Sequence, residues 1–175
     1  MRKIHIVPLG PVDQDLLVRL RSSLQERLGV ETALEEPVPL SETWYDSRRR
    51  QYLGNAVLNA LSRIPRQRDE RVLGLIDRDC YATGLNFIFG QAAIRGGLAF
   101  VALPRLRQSF YGLPEDWEVF RLRALKESVH ELGHTWGLGH CSNPRCVMHF
   151  SNRLEDTDYK DADFCDFCKR KLGLI

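Results

Sequence analysis

No apolar run in these 175 residues approaches the ~20 that a membrane-crossing helix needs, so an integral membrane span is excluded from the reading. Neither sign of charge dominates: 25 Lys and Arg stand against 23 Asp and Glu, a net charge of +2. That balance advertises no field for a polyanion, and nucleic acid is not expected as a partner. The first residues, MRKIHIVPLGPVDQD, are basic but lack the longer apolar core of a secretory leader, so they read as a first strand and the protein as cytoplasmic. Repeats, linkers and low-complexity stretches are also missing. One domain spanning 1–175, working as a monomer, is the expectation. Histidine is scarce, at five residues, and cysteine is odd in number, also five, with four of them after residue 140. In a reducing compartment, thiols clustered in this way read as metal ligands before disulfides.

What is present is a mixture of both periodicities. Alternating apolar residues from Ile4 read as a strand, and Leu16, Leu17, Leu20, Leu24 and Leu28 read as a helix over 13–28 that Gly29 stops. A short strand is expected over 30–34. A second helix is expected from about 46 to 64, before Pro65, with Arg48, Arg49 and Arg50 as a solvated face. Three strand-like runs follow at 71–77, 85–92 and 98–106. The last helix opens after Pro114, where Glu115 and Asp116 suit the dipole, and runs to about Trp136. On it Leu122, Leu125, Val129, Leu132 and Trp136 form the stripe expected to face the sheet. This order of elements predicts an α/β (α+β) fold around one mixed sheet.

Three of the five histidines fall in HELGHTWGLGH, residues 130–140. His130 and His134, four apart, lie one above the other on a helix and can share an ion. Neutral imidazole suits zinc, and a hydrolytic zinc takes three protein ligands and leaves a fourth position to water. Gly137 can adopt the left-handed conformation that ends a helix and turns the chain back, which brings His140 round as the third ligand. Glu131, about 100° further round the helix, stands where a general base belongs. A lone histidine reads most readily as a satisfied core or surface group; the full constellation at these offsets does not.

The pattern His130-Glu131-x-x-His134-x-x-Gly137-x-x-His140 resembles the metzincin clan of zinc peptidases. That clan places a methionine in a tight turn beneath the metal, which implies that role for Met148. His140 is followed by Cys141, Cys146, Met148, Cys165 and Cys168, an order similar to that of the archaemetzincin family. RQYL at 50–53, the D-x-D-x-Y at 77–81, LNFIFGQA at 85–92 and PRLRQSFYG at 104–112 also resemble it. The likeness implies a mostly parallel twisted sheet packed on three helices, and a metallopeptidase activity. It also assigns LNFIFGQA as the edge strand to which an extended peptide adds.

Cys141, Cys146, Cys165 and Cys168 form two close pairs with the character of a closed, tetrahedral structural zinc site. Such a site would hold the turn bearing Met148 and staple the segment 141–175 to the rest, for a total of two zinc ions. Two disulfides would give the same topology, and a nucleic-acid-binding zinc ribbon is a further alternative. Cys80 reads as a small packed thiol, and His149 is not needed as a ligand. Asp77 and Asp79 read as capping or turn residues rather than a cation site. The function expected is zinc-dependent hydrolysis of peptides or small proteins. The alternative from another class is a zinc-stabilised peptide- or protein-binding module without turnover, which would have no need of Glu131.

Overall fold

The computed structural model describes residues 3–175. The first strand, β1 (Lys3–Leu9), leads to α1 (Gln14–Leu28), β2 (Glu31–Leu34), β3 (Tyr45–Asp46) and β4 (Gln51–Leu53). Next come α2 (Gly54–Leu61), β5 (Arg71–Ile76), β6 (Cys80–Tyr81), β7 (Gly90–Ala93) and β8 (Leu98–Ala102). The long helix α3 (Trp117–Thr135) precedes two short ones, α4 (Leu154–Tyr159) and α5 (Asp166–Lys171). The main sheet has the order β2-β1-β5-β8-β7, parallel throughout except for β7, which runs antiparallel to β8 at the edge. The mixed, mostly parallel sheet expected from the sequence is therefore what the chain forms.

Alternation along the parallel strands divides the core. Ile4, Ile6, Leu73, Leu75, Ala99 and Val101 face α1 and α3, whereas Val7, Leu9, Val72, Ile76, Phe100 and Ala102 face α2. At the start of α1 the Asp13 side chain accepts the Leu16 N–H at 2.8 Å, and Gly29 closes the helix with φ 63°. Gly74 lets α2 approach the sheet: a Cβ there would fall 2.8 Å from Leu61 Cδ1 and 2.9 Å from Leu9 Cδ1.

Several boundaries differ from the periodicity reading. The helix expected over 46–64 forms only from Gly54, because Asp46 Oδ1 accepts the N–H groups of Arg48 and Arg49 and bends 45–53 into a hairpin. Arg49 is also more than a solvated charge. Its guanidinium donates to the carbonyls of Leu85 and Asn86 and stacks 4.2 Å over Tyr81. The strand expected over 85–92 is confined to Gly90–Ala93; residues 85–89 are held as a loop by Arg49 and by Gln51, whose Nε2 donates to Asn86 O at 2.9 Å. The run at 98–106 stops as a strand at Ala102 and turns at 104–106.

The expected stripe on α3 is also incorrect at its start, since Leu122 is 46 % exposed while Phe120 and Ala124 are fully buried. From Arg123 to Gly133 this helix is enclosed on every side, and its polar residues are enclosed with it. Arg123 donates to both carboxylate oxygens of Asp158, Lys126 donates to the carbonyls of Thr157 and Asp158, and Glu127 pairs with Lys160. Residues 154–160 are thus docked by charged hydrogen bonds as well as by the cysteines. Asp77 and Asp79 do more than cap or turn the chain, although Asp79 Oδ1 does accept the Cys80 N–H at 3.1 Å. They take bidentate hydrogen bonds from Arg107 and Arg105, which fasten the end of β5 to the segment after β8.

Candidate active site

His130 and His134 stand on successive turns of α3, and each ring is aimed by a backbone carbonyl. His130 Nδ1 donates to Val147 O and His134 Nδ1 donates to Leu138 O, both at 2.8 Å. A carbonyl can only accept, so the ring proton sits on Nδ1 and the Nε2 lone pair is free in each case. Those two Nε2 atoms face each other at 3.1 Å. Two lone pairs so close repel unless a cation lies between them; nitrogens roughly 2.0–2.1 Å from one tetrahedral ion would be about 3.3 Å apart.

The chain leaves α3 through Gly137, whose φ of 89° is the positive value the sequence reading required. Its N–H bonds to His134 O, and Leu138 N–H reaches back to Gly133 O, so the turn is tight. His140 arrives with its ring centroid 5.4 Å from that of His130 and 5.0 Å from that of His134. One nitrogen from each of the three rings falls within 4.8 Å of the other two. Burial depresses the proton affinity of all three, taking His130 down to about 3. Neutral imidazole, the coordinating form, is therefore what they present at ordinary pH, and the donor set fits zinc.

Glu131 is buried beside this trio, and none of the described residues hydrogen-bonds its carboxylate. Burial, and then the charge of Glu127 one turn earlier, push its carboxyl well above the usual carboxylate range. What holds it in place is a close approach of backbone. A Cβ on Gly90 would lie 2.7 Å from Glu131 Cγ, from Glu131 Oε1 and from Phe100 O. The first residue of the edge strand must therefore be glycine for this carboxylate to sit where it does. The sequence did contain that clue, a glycine inside a strand pattern, which marks a close approach.

Phe87, Phe89, Gly90, Glu131, His140 and Phe150 line one cleft of about 580 Å³. Phe150 leans on His140 with ring centroids 4.8 Å apart. Phe89 comes from the LNFIFGQA run, whereas Phe150 is a contribution that motif reasoning missed, because it belongs to no recognisable spacing. Among the described residues no strand pairs the outer edge of β7, which runs along this cleft.

Met148 is fully buried and packs on Gly133, the fourth residue of the HELGH run. A Cβ on Gly133 would overlap the Met148 sulfur and lie 3.1 Å from Phe164 Cε1. The turn carrying Met148 is closed by Cys141 N–H to Met148 O at 2.9 Å and by His149 N–H to Cys146 O at 2.9 Å. His149 spends its Nδ1 on Cys141 O and is not one of the three converging rings.

The four late cysteines also come together, with every sulfur within 4.8 Å of the others and none in a disulfide. Cys141 and Cys165, like Cys146 and Cys168, are 3.7 Å apart. Sulfurs at ~2.3 Å from one tetrahedral ion would be about 3.8 Å apart, so this set fits zinc as well. Although burial opposes it, the Cys168 backbone N–H and the neighbouring thiols draw Cys165 down to about 7, while Cys146 and Cys168 are pushed up, by burial first. Cys165 gives up its proton more readily than Cys146 or Cys168, as expected of like charges crowded without a cation. Cys80 is buried apart from this cluster, and burial raises its pKa far into the unreactive range.

Comparison with known proteins agrees with the geometry. The sequence model of peptidase family M54 matches residues 23–173. An archaemetzincin of Pyrococcus abyssi is 44% identical over 98% of this chain and 95% of its own length. The crystal structure of archaemetzincin from Methanopyrus kandleri superposes with a TM-score of 0.85 at 39% identity, covering 98% of this chain and 93% of that one. A zinc-dependent peptidase from Methanocorpusculum labreanum gives a TM-score of 0.87 at 30% identity, covering 97% and 99%. On both sequence and architecture, this chain belongs to peptidase family M54, alongside the archaemetzincins, and so to the zinc-dependent metallopeptidases.

Proposed function

We propose that this protein hydrolyses peptide bonds in extended peptides, with one zinc ion held by His130, His134 and His140 and a second, structural one held by Cys141, Cys146, Cys165 and Cys168. When bound at the histidines, zinc polarises a carbonyl and makes a nearby water acidic, toward a pKa of ~7. Glu131 is the group that takes and returns the proton. It is buried, has no competing hydrogen-bond partner among the described residues, and has a raised affinity for a proton, as suits a general acid and base near neutral pH. The His130 and His134 rings contribute orientation, since their Nδ1 protons are committed to Val147 O and Leu138 O.

The free edge of β7 is where an extended substrate adds by strand pairing. Gly90 places the first backbone unit of that edge against Glu131, so the pairing strand passes the carboxylate. Segment 1–140 supplies the sheet, the three longer helices and the three converging histidines. Segment 141–175 supplies Met148 and the cysteine staple, and the two work as one unit.

The observation that carries this reading is the convergence of imidazole lone pairs, their protons turned away, beside an unpartnered carboxylate. The test is turnover of a mixed peptide library by the wild type and by Glu131→Gln at equal metal content. The substitution should cost on the order of 10²–10⁴-fold in rate. Equal rates for the two proteins, or cleavage by neither, would remove the role given to Glu131.

A further inference from the structure

At the far end of the cleft, Ile94 separates the catalytic channel from a second concavity of about 630 Å³ and borders both. Five arginines line that concavity: Arg63, Arg66, Arg68, Arg71 and Arg95. Elsewhere in the fold, arginines such as Arg105, Arg107, Arg121, Arg123 and Arg145 pair with carboxylates. These five do not. Among the described residues no carboxylate lies within ion-pair distance of any of them, although the Asp69 charge does act on Arg71.

Two of the five are pinned by neutral acceptors. Arg66 donates to the carbonyls of Ser62, Ile64 and Gly96, the last at 2.7 Å. Arg71 donates to the carbonyls of Arg68 and Glu70, and its Nε is buried without a partner. A carbonyl fixes a guanidinium without cancelling its charge, so both stay cationic and in place. The nearby acid Glu70 is turned away, accepting the Gln67 N–H at 2.7 Å and lying 3.1 Å from His5 Nε2. Arg63, Arg68 and Arg95 are exposed around the same hollow. Guanidinium forks left open in this way match carboxylates.

We propose that this arginine cluster is an extended substrate site that binds acidic side chains of the peptide being cleaved. The inference rests on reading the cleft as a peptide channel, and it adds a substrate class to that reading. A strand laid along β7 leaves the sheet where Ala93 passes into the turn at 94–96, which carries Arg95. From Gly90, opposite Glu131, to Ile94 is about 13 Å at ~3.3 Å per residue. Acidic residues about four to six positions from the scissile bond therefore reach the arginines. Antiparallel pairing, the more stable arrangement, puts them on the N-terminal side of that bond.

The test uses matched fluorogenic peptides whose residues four to six positions before the scissile bond are Glu, Gln or Lys, together with a labelled hexapeptide of D-glutamate that cannot be cut. For wild type, kcat/KM should fall in the order Glu, Gln, Lys, with Glu favoured over Gln by roughly fivefold to tenfold, as two or three rim ion pairs allow. The triple variant Arg63→Gln/Arg68→Gln/Arg95→Gln leaves only the two pinned arginines and should cut that preference to about twofold or less, bind the D-glutamate probe several-fold more weakly, and cleave the Gln peptide at the wild-type rate. Equal kcat/KM for Glu and Gln peptides in the wild type, or a preference undiminished in the triple variant, would overturn the proposal. Failure to cleave any peptide while the probe still binds through these arginines would refute the hydrolase reading and leave the acidic-ligand site standing.

Discussion

Lys160 and Glu127 offer a quantitative test of how the tail is attached. Lys160 Nζ lies 2.9 Å from Glu127 Oε1, with the two side chains 0% and 4% exposed, and the Thr157 hydroxyl donates to the same oxygen at 3.0 Å. Replacing Lys160 with Met keeps the volume but strands a carboxylate in the interior. Breaking one side of such a pair costs about 3–5 kcal/mol, which in a chain of this size lowers Tm by roughly 10 °C. The loss should depend on pH. Burial alone would raise the Glu127 pKa, but Lys160, with help from His130 and Thr157, brings it below its ordinary value. In the wild type that stabilisation is present above the usual carboxylate range and disappears as pH falls through the lowered value. In Lys160→Met burial is unopposed and the sign reverses: the carboxyl protonates in the folded state, and stability is lost as pH rises toward its raised value. The gap between wild type and variant should therefore be widest near neutral pH and narrow near pH ~4. Urea or thermal unfolding of wild type, Lys160→Met, Glu127→Gln and the double variant at both pH values measures it. A gap independent of pH, or a double variant no more stable than Lys160→Met, would refute the reasoning.

Other outcomes follow from the same contacts. Gly90→Ala should reduce kcat/KM on the order of 100-fold by displacing Glu131, while costing only about 1–3 kcal/mol of stability; steady-state kinetics beside a melting curve separates the two effects. Gly133→Ala should destabilise by a similar ~1–3 kcal/mol through Met148, and combining it with Met148→Ala should cost less than the sum of the single changes in denaturant titrations. Metal analysis should find about two zinc ions per chain, of which mild chelation removes the histidine-bound one with loss of activity and no change in circular dichroism. Removal of the cysteine-bound ion should require a thiol reagent and should expose residues 141–175 to protease.

The readable parts of this molecule were those governed by local rules. The His130–His140 spacing depends on helical pitch and one glycine, and the paired cysteines depend on chain proximity, so both could be seen without a fold. The leucines of α1 were legible because one face of that helix meets the sheet and the other meets water. The helix α3 misled at Leu122 because its first turns leave one side open, with Trp117 and Leu122 both about half exposed, whereas from Arg123 onward every face is covered and a stripe carries no information. The first half of the helix expected over 46–64 failed because the Asp46 side chain offers its own acceptor to two backbone donors, a competition that periodicity does not register. Glu127 with Lys160, and Arg105 with Asp79, join positions 33 and 26 apart along the chain, and no spacing rule connects such partners.

Arg123 through Gly133 form eleven consecutive residues of α3 that are all buried, and Glu131 and the neighbouring His130 lie inside that stretch. Amides there can meet solvent only when the sheet on one side and the docked tail on the other have both come away, which is close to complete melting. Hydrogen exchange in this segment should therefore follow the global opening reaction. Heat should accordingly inactivate the enzyme and unfold it in a single event, with no preceding stage in which the fold survives and the site does not.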